Sequence, residues 1–327
     1  MILFLFEPQI PLEPGKSKIK NQNMNQLLYA ITLNWNRKQD TLECLSSFME
    51  VHWPAGWEVR LLLLDNGSTD GTVEAVQATF PHVEIVHNAE NFGFARGFNE
   101  GLRYALQQGA DAIFIFNNDT LFDTNLGLPL LAALDAGVAA VSPAIFYADP
   151  PTEIWSVGGG RHPWTLEMTG NHGRGLPHLP NEPFDRAFLT ACALIFQSKA
   201  LREIGLFDEQ FFMYYEDSDW SIRAQRAGWR LRVAPKAHLL HKVAQSSGGS
   251  ESPNERYYMA RSSLKFFRKH ATGWQWAAII PFRLGSALRT TLRLARHKKI
   301  SAISSYWRGL WDGLRDEVVP EGVNCGV

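Results

Sequence analysis

The sequence predicts an α/β domain built on a parallel sheet, followed by a helical C-terminal extension. Three observations predict it. Short apolar runs alternate with amphipathic segments through the first half of the 327 residues, the pattern of strands joined by crossover helices. Each run stops at small polar side chains, as strands do where an open sheet presents its carboxyl edge to ligands. The last fifth carries apolar and basic residues at helical spacing.

Composition bounds the rest. A hydrophobic content of 45% and a charged content of 20% describe a folded globular chain. The net charge of −1 excludes a globally basic nucleic-acid binder. Cys44, Cys192 and Cys325 lie far apart with no C-x-x-C spacing, which points away from a zinc site or disulfide framework and toward a reducing, cytoplasmic compartment. The apolar run 2–6 is too short for a membrane span or a signal peptide. Residues 1–26, with Pro8, Pro11 and Pro14, read as a flexible N-terminal extension.

The first strand, 27–33, ends at Asn34, Trp35 and Asn36, and 41–49 is an amphipathic helix. The second strand, 59–64, ends in D-N-G-S-T-D-G-T, where Ser68, Thr69 or Asp70 can cap the next helix. A third strand, 83–86, precedes N-F-G-F-A-R-G-F-N-E-G and a helix ending near Gly109. The fourth strand, 112–116, is apolar throughout and stops at Asn117, Asn118 and Asp119. An acid at that edge can hold Mg²⁺ or Mn²⁺ against a diphosphate, since both take hard oxygen ligands shared with phosphates. Asn and Asp also favour turns, so the stretch alone admits a plain turn. The first strand is not followed by G-x-G-x-x-G, which disfavours a dinucleotide enzyme.

Taken together, A-I-T-L-N-W-N-R, L-L-D-N-G-S-T-D-G-T, N-F-G-F-A-R-G-F-N-E-G and F-N-N-D-T resemble the family 2 glycosyltransferases, and within them the bacterial rhamnosyltransferase-like branch. The resemblance implies a GT-A Rossmann-like nucleotide-diphospho-sugar transferase fold over 27–255. It assigns Asn34, Asn36, Asn91, Gly93, Gly97 and Asn118 to the nucleotide-sugar donor. Asp65 would accept a hydrogen bond from a uracil or thymine imide, an edge that UDP and dTDP share. Asp119 would be the last residue of the family's Asp-x-Asp metal motif. Asn117 replaces the first Asp, so one negative charge is lost there.

The second half begins with a strand over 138–145, followed by a Pro-, Gly- and His-rich segment, 149–182, which reads as a long irregular lid. Its His162, His172 and His178 lack metal spacing and read as solvated. Residues 187–196 are strand-like, and 199–204 form a helix closed by Gly205. Then Phe211, Phe212, Tyr214 and Tyr215 run into Glu216, Asp217 and Asp219 at the start of a helix. Acids there complement the helix dipole, with Arg223 and Arg226 as partners, so capping is one reading. A general base is the other, because sugar transfer needs a carboxylate to take the acceptor proton and an aromatic wall desolvates it. The resemblance favours the base: Asp217 in the family's Glu-Asp motif, supported by Glu216 or Asp219, with Tyr214, Tyr215, Asp219 and Trp220 on the acceptor side. The neighbouring T-A-C-A-L-I-F has Ala191 where the family usually has Gly. By the same resemblance His241, ahead of His238, completes the metal site or touches the diphosphate, a structural His on a strand end being the other reading, and Ser246, Ser247 and Gly249 could close over the phosphates.

Residues 257–311 carry many Lys and Arg, with Trp, Phe and Leu between them, and no Asp or Glu. The segment 256–327 therefore reads as basic, amphipathic and helical, either peripheral at a membrane or packed on the catalytic domain. The sequence-level conclusion is an inverting glycosyltransferase using Mg²⁺ or Mn²⁺ and a UDP- or dTDP-sugar, rhamnose among the candidates. Its acceptor is a cell-surface or lipid-linked glycan, and its setting the cytoplasm or the inner face of the membrane. The alternatives are a non-catalytic nucleotide-sugar binding protein and a sugar nucleotidyltransferase, the latter lacking its basic Gly-rich loop.

Overall fold

The computed structural model describes residues 25–170, 179–243 and 251–315. Most of the expected N-terminal extension, His172, His178, Ser246, Ser247, Gly249 and the end of the chain lie outside the described residues.

The first four expected strands form as β1 (Gln26–Asn34), β2 (Trp57–Asp65), β3 (Glu84–His87) and β4 (Ala112–Asn117). They are parallel in the order β3-β2-β1-β4. Their crossovers are α1 (Lys38–Met49), α2 (Thr72–Thr79) and α3 (Gly93–Gln107). The alternation of β1 side chains explains the layering. Leu28 and Ala30 enter a core with Leu45, Phe48 and Val76, while Tyr29 and Ile31 enter the opposite one with Phe98 and Leu102. A sheet buried on both faces needs the continuous apolar runs seen in the sequence.

Beyond β4 the sheet changes character. A short strand absent from the sequence reading, β5 (Thr120–Phe122), leaves the Asn-Asn-Asp turn, and α4 (Gly127–Ala132) follows it. Next comes β6 (Val138–Tyr147). The segment expected to be irregular contains β7 (Ile154–Ser156), β8 (Gly160–Arg161) and β9 (Met168–Thr169). They were illegible because strands of two or three residues carry no periodicity. Of the strand expected over 187–196 only the end forms, as β11 (Ala193–Gln197), and β10 (Phe184–Arg186) lies just before it. Then come α5 (Ser198–Ile204), α6 (Glu216–Arg226) and β12 (Arg230–His241). The last is long despite Pro235, because its pairing with β6 shifts register between Ala234 and His238, where a proline removes no needed ladder bond. β11 runs antiparallel between β4 and β6, and β5 pairs antiparallel with the end of β12.

Three helices close the chain: α7 (Pro253–His270), α8 (Trp276–Arg296) and α9 (Ile300–Arg315). Ser252 caps α7 by accepting the Glu255 N–H, and Pro253 occupies its first position. Phe266 and Phe267 of α7 and Ile279 of α8 share a small core with Phe211 and Ile222. Tyr257 of α7 donates to Asp312 of α9 at 2.8 Å.

Candidate active site

The register of the parallel strands builds the first half of the site. Asn34 lies opposite Asp65, Leu33 opposite Asn117, and Asp65 opposite His87. Asp65 is fully buried. Its Oδ1 accepts from Asn34 Nδ2 at 2.9 Å, and its Oδ2 from the Ser68 N–H at 2.9 Å. His87 Nδ1 stands 2.8 Å from Oδ2 and donates to it, since a carboxylate only accepts. Asn34 Oδ1 in turn accepts from Thr41 Oγ1 and Asn118 Nδ2. Asn34 and Asn118 are thus buried braces joining the ends of β1, β2 and β4. A buried network with its donors and acceptors matched holds its members rigidly.

Asn36 adopts a positive φ and ties the first two loops together: its Oδ1 accepts the Thr69 N–H at 2.8 Å, and its own N–H donates to Ser68 Oγ. Asn91 Oδ1 accepts the Gly93 N–H at 2.9 Å at the start of α3. Gly93 has φ of 76°, and a Cβ there would lie 2.5 Å from the Phe212 carbonyl oxygen. A Cβ on Gly97 would lie 2.9 Å from Asn66 Nδ2. Both glycines let α3 settle onto the strand ends and onto the 207–215 loop. Sequence reasoning missed Asn66, which donates to the Gly93 carbonyl and accepts from Asn88. Its signal was its place directly after Asp65.

The pairing of β5 with β12 places His241 opposite Thr120, and the Lys242 N–H donates to the Asp119 carbonyl at 2.9 Å. This brings His241 Nε2 to 3.1 Å from Asp119 Oδ1, with both side chains buried. Neither Asp119 Oδ1 nor either His241 ring nitrogen makes a well-aligned hydrogen bond to the described residues. Burial pulls the imidazole down, but the Cys192 sulfur and the Asp119 carboxylate more than offset it and push it up to about 10. Asn117, half-buried, ends β4 two residues before Asp119, with its N–H donating to the Cys192 carbonyl at 2.9 Å. Among the described residues no three His, Cys, Asp or Glu side chains converge as a cation cage. A hard carboxylate oxygen and an imidazole, buried together with unmatched polar atoms, still fit a divalent cation completed by diphosphate oxygens and water. His238 instead faces Phe146 and the Pro235 carbonyl.

The 207–215 loop delivers the second half. Tyr214 and Tyr215 both have positive φ, 67° and 70°, a conformation that bulky side chains resist and that persists only when the surroundings over-determine it. Here they do. The Phe94 N–H donates to the Phe212 carbonyl, Ser262 Oγ of α7 donates to the Met213 carbonyl, and Asn99 of α3 bonds both the N–H and the carbonyl of Phe207. The Tyr215 ring packs on Phe266 of α7.

The turn presents Glu216 and Asp217 at the N-terminus of α6. Asp217 Oδ1 accepts the Ser218 N–H at 2.7 Å, and Oδ2 the Ala191 N–H at 3.3 Å. Burial raises the Asp217 carboxyl to about 6, with those N–H groups holding it back from going higher. Glu216 is buried with Oε2 lacking a partner; burial first, then the charge of Asp217, push it well above the carboxylate range. The proton is therefore held more tightly on this pair than on a free carboxyl, by burial of both and by the charge of Asp217 beside Glu216.

The structure does not bring Asp219 and Trp220 to the acceptor side. Helical spacing turns both inward. Asp219 is sealed against Arg223 Nε at 2.8 Å, Lys269 Nζ at 2.6 Å and His270 Nε2 at 2.7 Å. Burial would raise it, but these three partners hold it at about 2. The Trp220 ring packs on Phe196, and its Nε1 donates to the Gly205 carbonyl. Of the expected pairings, Arg223 meets an acid, whereas Arg226 contacts His270.

A mixed sheet of this order, with helices on both faces, is the GT-A type of fold. Residues 29–205, over half of the chain, match the family described as Glycosyl transferase family 2, and the chain belongs to it. It is an enzyme that moves a sugar from a nucleotide-sugar donor to an acceptor. The chain is 26% identical over 275 residues, 75% of its length and 88% of the relative's, to the N-acetylglucosaminyl-diphospho-decaprenol L-rhamnosyltransferase of Mycobacterium tuberculosis. It is 22% identical, over 89% of its length and 97% of the relative's, to dTDP-rhamnosyl transferase RfbF of Shigella flexneri. Among solved structures it resembles the mannosyltransferase PcManGT of Pyrobaculum calidifontis in complex with GDP-Man and Mn2+, at TM-score 0.53 and 17% identity over 91% of this chain and 78% of that one. It likewise resembles S. aureus TarS 1-349, at TM-score 0.51 and 14% identity over 89% of this chain and 92% of that one.

Proposed function

We propose that this chain is an inverting rhamnosyltransferase-like enzyme that moves a hexosyl group from a dTDP- or UDP-sugar to a hydroxyl of a lipid-linked or cell-surface glycan. One observation carries the reading. The two-residue step Ala191–Cys192 joins the two halves of the site, Ala191 holding Asp217 and Cys192 holding Asn117. The relatives named as rhamnosyltransferases support the sugar, and one of them the diphospho-lipid acceptor.

In this mechanism Asp217 Oδ takes the proton from the acceptor hydroxyl. The acceptor oxygen forms its bond to the anomeric carbon as the bond to the diphosphate oxygen breaks on the opposite face, which inverts that centre. Glu216, buried beside the base and pushed upward by burial and by the charge of Asp217, supports it. Asp119 and His241, with Asn117 two residues before Asp119, would hold Mg²⁺ or Mn²⁺. Such a cation neutralises the leaving diphosphate. Asp65, braced by Asn34, would accept a pyrimidine imide, and Asn36, Asn91, Gly93 and Gly97 would shape the loops around the donor. Tyr214 would border the acceptor. The catalytic unit would span 27–255, and α7 braces it, since Ser262 and His270 hold the α6 entry.

The test is calorimetric binding of UDP, dTDP and GDP, each with Mn²⁺ and with EDTA, followed by transfer assays with the matching sugars. Metal-dependent binding of a pyrimidine diphosphate alone, and sugar transfer from its conjugate, is the expected result. Failure of both pyrimidine diphosphates to bind would overturn the donor reading.

A further inference from the structure

Helix α8 has an inner and an outer side. Ile279, Ala287 and Leu294 are buried inward, and Arg283 reaches Glu167 and Ser263. Ile280, Leu284, Leu288 and Leu292 recur every fourth residue, and each is more than half exposed. At about 100° per residue, this spacing draws one continuous apolar ridge along the helix. Thr291 falls within the ridge on the same wheel, and it accepts a hydrogen bond from Trp307 Nε1 of α9. The exposed Trp307, Trp311 and Leu314 of α9, spaced by four and three residues, therefore extend the ridge into a patch spanning two helices. At the N-terminal end of α8, exposed Trp274 meets exposed Trp164 edge to face at 5.0 Å.

The charge beside the ridge is mainly basic, with Glu251 set against Arg293 and Lys299. Arg289, Arg293 and Arg296 fall together on the next sector of the wheel. Arg293 pairs with Glu251, whereas Arg289, Arg296 and Lys298 form no ion pair with the described residues. No Asp or Glu occurs between Arg256 and Trp311. Among the described residues no helix is long and apolar enough to cross a membrane.

We propose that this patch docks the enzyme in the plane of an anionic phospholipid surface, the leucine ridge and tryptophans entering the headgroup boundary and the arginines meeting lipid phosphates. An apolar stripe flanked by Arg, with Trp at its ends, is what such a surface recognises. A second copy of this chain is the poorer occupant, because it would set one mainly basic band against another. The inner side of α8 packs through Ile279 on the core containing Phe211, with Tyr215 against it. Docking therefore holds the loop that precedes Asp217 near the lipid surface. The inference does not depend on which sugar or acceptor the enzyme uses.

The experiment is flotation of the full-length protein with vesicles of equal parts phosphatidylglycerol and phosphatidylcholine, compared with phosphatidylcholine alone. The protein should float with the anionic vesicles and be released by salt. Leu284→Ser with Leu288→Ser should weaken binding by more than about tenfold, and each of Arg289→Ser and Arg296→Ser by about fivefold. All variants should keep the wild-type melting temperature and nucleotide affinity, since these side chains point outward. No flotation with anionic vesicles at low salt would overturn the proposal. So would self-association in sedimentation velocity, without lipid, that the leucine variants abolish.

Discussion

Ala191 donates its backbone N–H to Asp217 Oδ2 at 3.3 Å, across the gap between the strand edge and the start of α6. This fixes one carboxylate oxygen and leaves Asp217 raised to about 6. Base catalysis needs the ionised form, so kcat should rise as pH increases through about 6 and level off above it. Asp217→Asn should lower kcat by about 10²–10⁴-fold, remove that acidic limb and leave nucleotide affinity unchanged. Transfer kinetics against pH, with calorimetry of the nucleotide, checks all three. An unchanged kcat would remove Asp217 as the base.

The same shift has a cost in stability. A folded-state pKa above the unfolded value gives a contribution that is complete at low pH and is lost as pH rises through about 6. The asparagine escapes that loss. Asp217→Asn should therefore be more stable than wild type at pH 8 by about 2 kcal/mol, allowing for solvent at a half-buried site, with the difference shrinking toward pH 4. Urea unfolding at the two pH values measures it. A variant less stable than wild type at pH 8 would contradict the assignment of burial as the dominant cause.

Asp219 works in the opposite direction. Its partners Lys269 and His270 lie on α7, so the carboxylate fastens the C-terminal helices to α6. Asp219→Asn leaves Arg223, Lys269 and His270 without their shared anion, and about 3 kcal/mol of stability should be lost at pH 7. Its depressed pKa means the contribution is present above about 4 and disappears as pH falls toward 2. Chemical denaturation of wild type and variant across that range should show the two curves converging in acid.

Gly93 tests the seat of α3. Alanine there must adopt φ of 76° and accept a Cβ 2.5 Å from the Phe212 carbonyl oxygen. Backbone cannot yield as a flexible side chain does, so Gly93→Ala should destabilise by about 2 kcal/mol or more. Because the displaced carbonyl belongs to the loop before Asp217, kcat should fall too. A melting curve and a transfer assay read both. A variant with wild-type melting temperature and rate would show that the loop does not rest on α3.

The nucleotide-binding half was legible because local signals and the final fold agree there. Apolar runs end in Asn34, Asp65 and Asn117, and parallel register alone then brings them to one edge. The antiparallel half was less so. Strands β7 to β9 are too short for alternation, and β12 carries a proline that reads as a break until its register shift is seen. Side-chain direction was the main loss. Asp219 and Trp220 sit two and three residues past Asp217, and sequence adjacency suggested a shared role. Two residues along a helix are about 200° of rotation, which carries Asp219 away from the face of Asp217, and Trp220, three residues on, is buried against Phe196. Asn66, His87 and Asn99 went unread because each acts by bonding another loop, a partnership that exists only once the chain is folded.

Asp119 and His241 meet only through the pairing of β5 with β12, and the contact is not a well-aligned hydrogen bond. If the pair receives a divalent cation with the diphosphate, its charge should set affinity. Asp119→Asn should weaken Mn²⁺ binding in the presence of nucleoside diphosphate by more than about tenfold. Asn117→Asp, two residues away on the same turn, adds a carboxylate and should tighten it by about tenfold, once the attraction is discounted for solvent at the strand edge. Electron paramagnetic resonance of free Mn²⁺ follows both without any turnover. Opposite shifts from the two substitutions would identify this turn as the cation's seat. If neither changed Mn²⁺ affinity, the cation would be held by the nucleotide alone, and the Asp119–His241 pair would be a structural joint between β5 and β12.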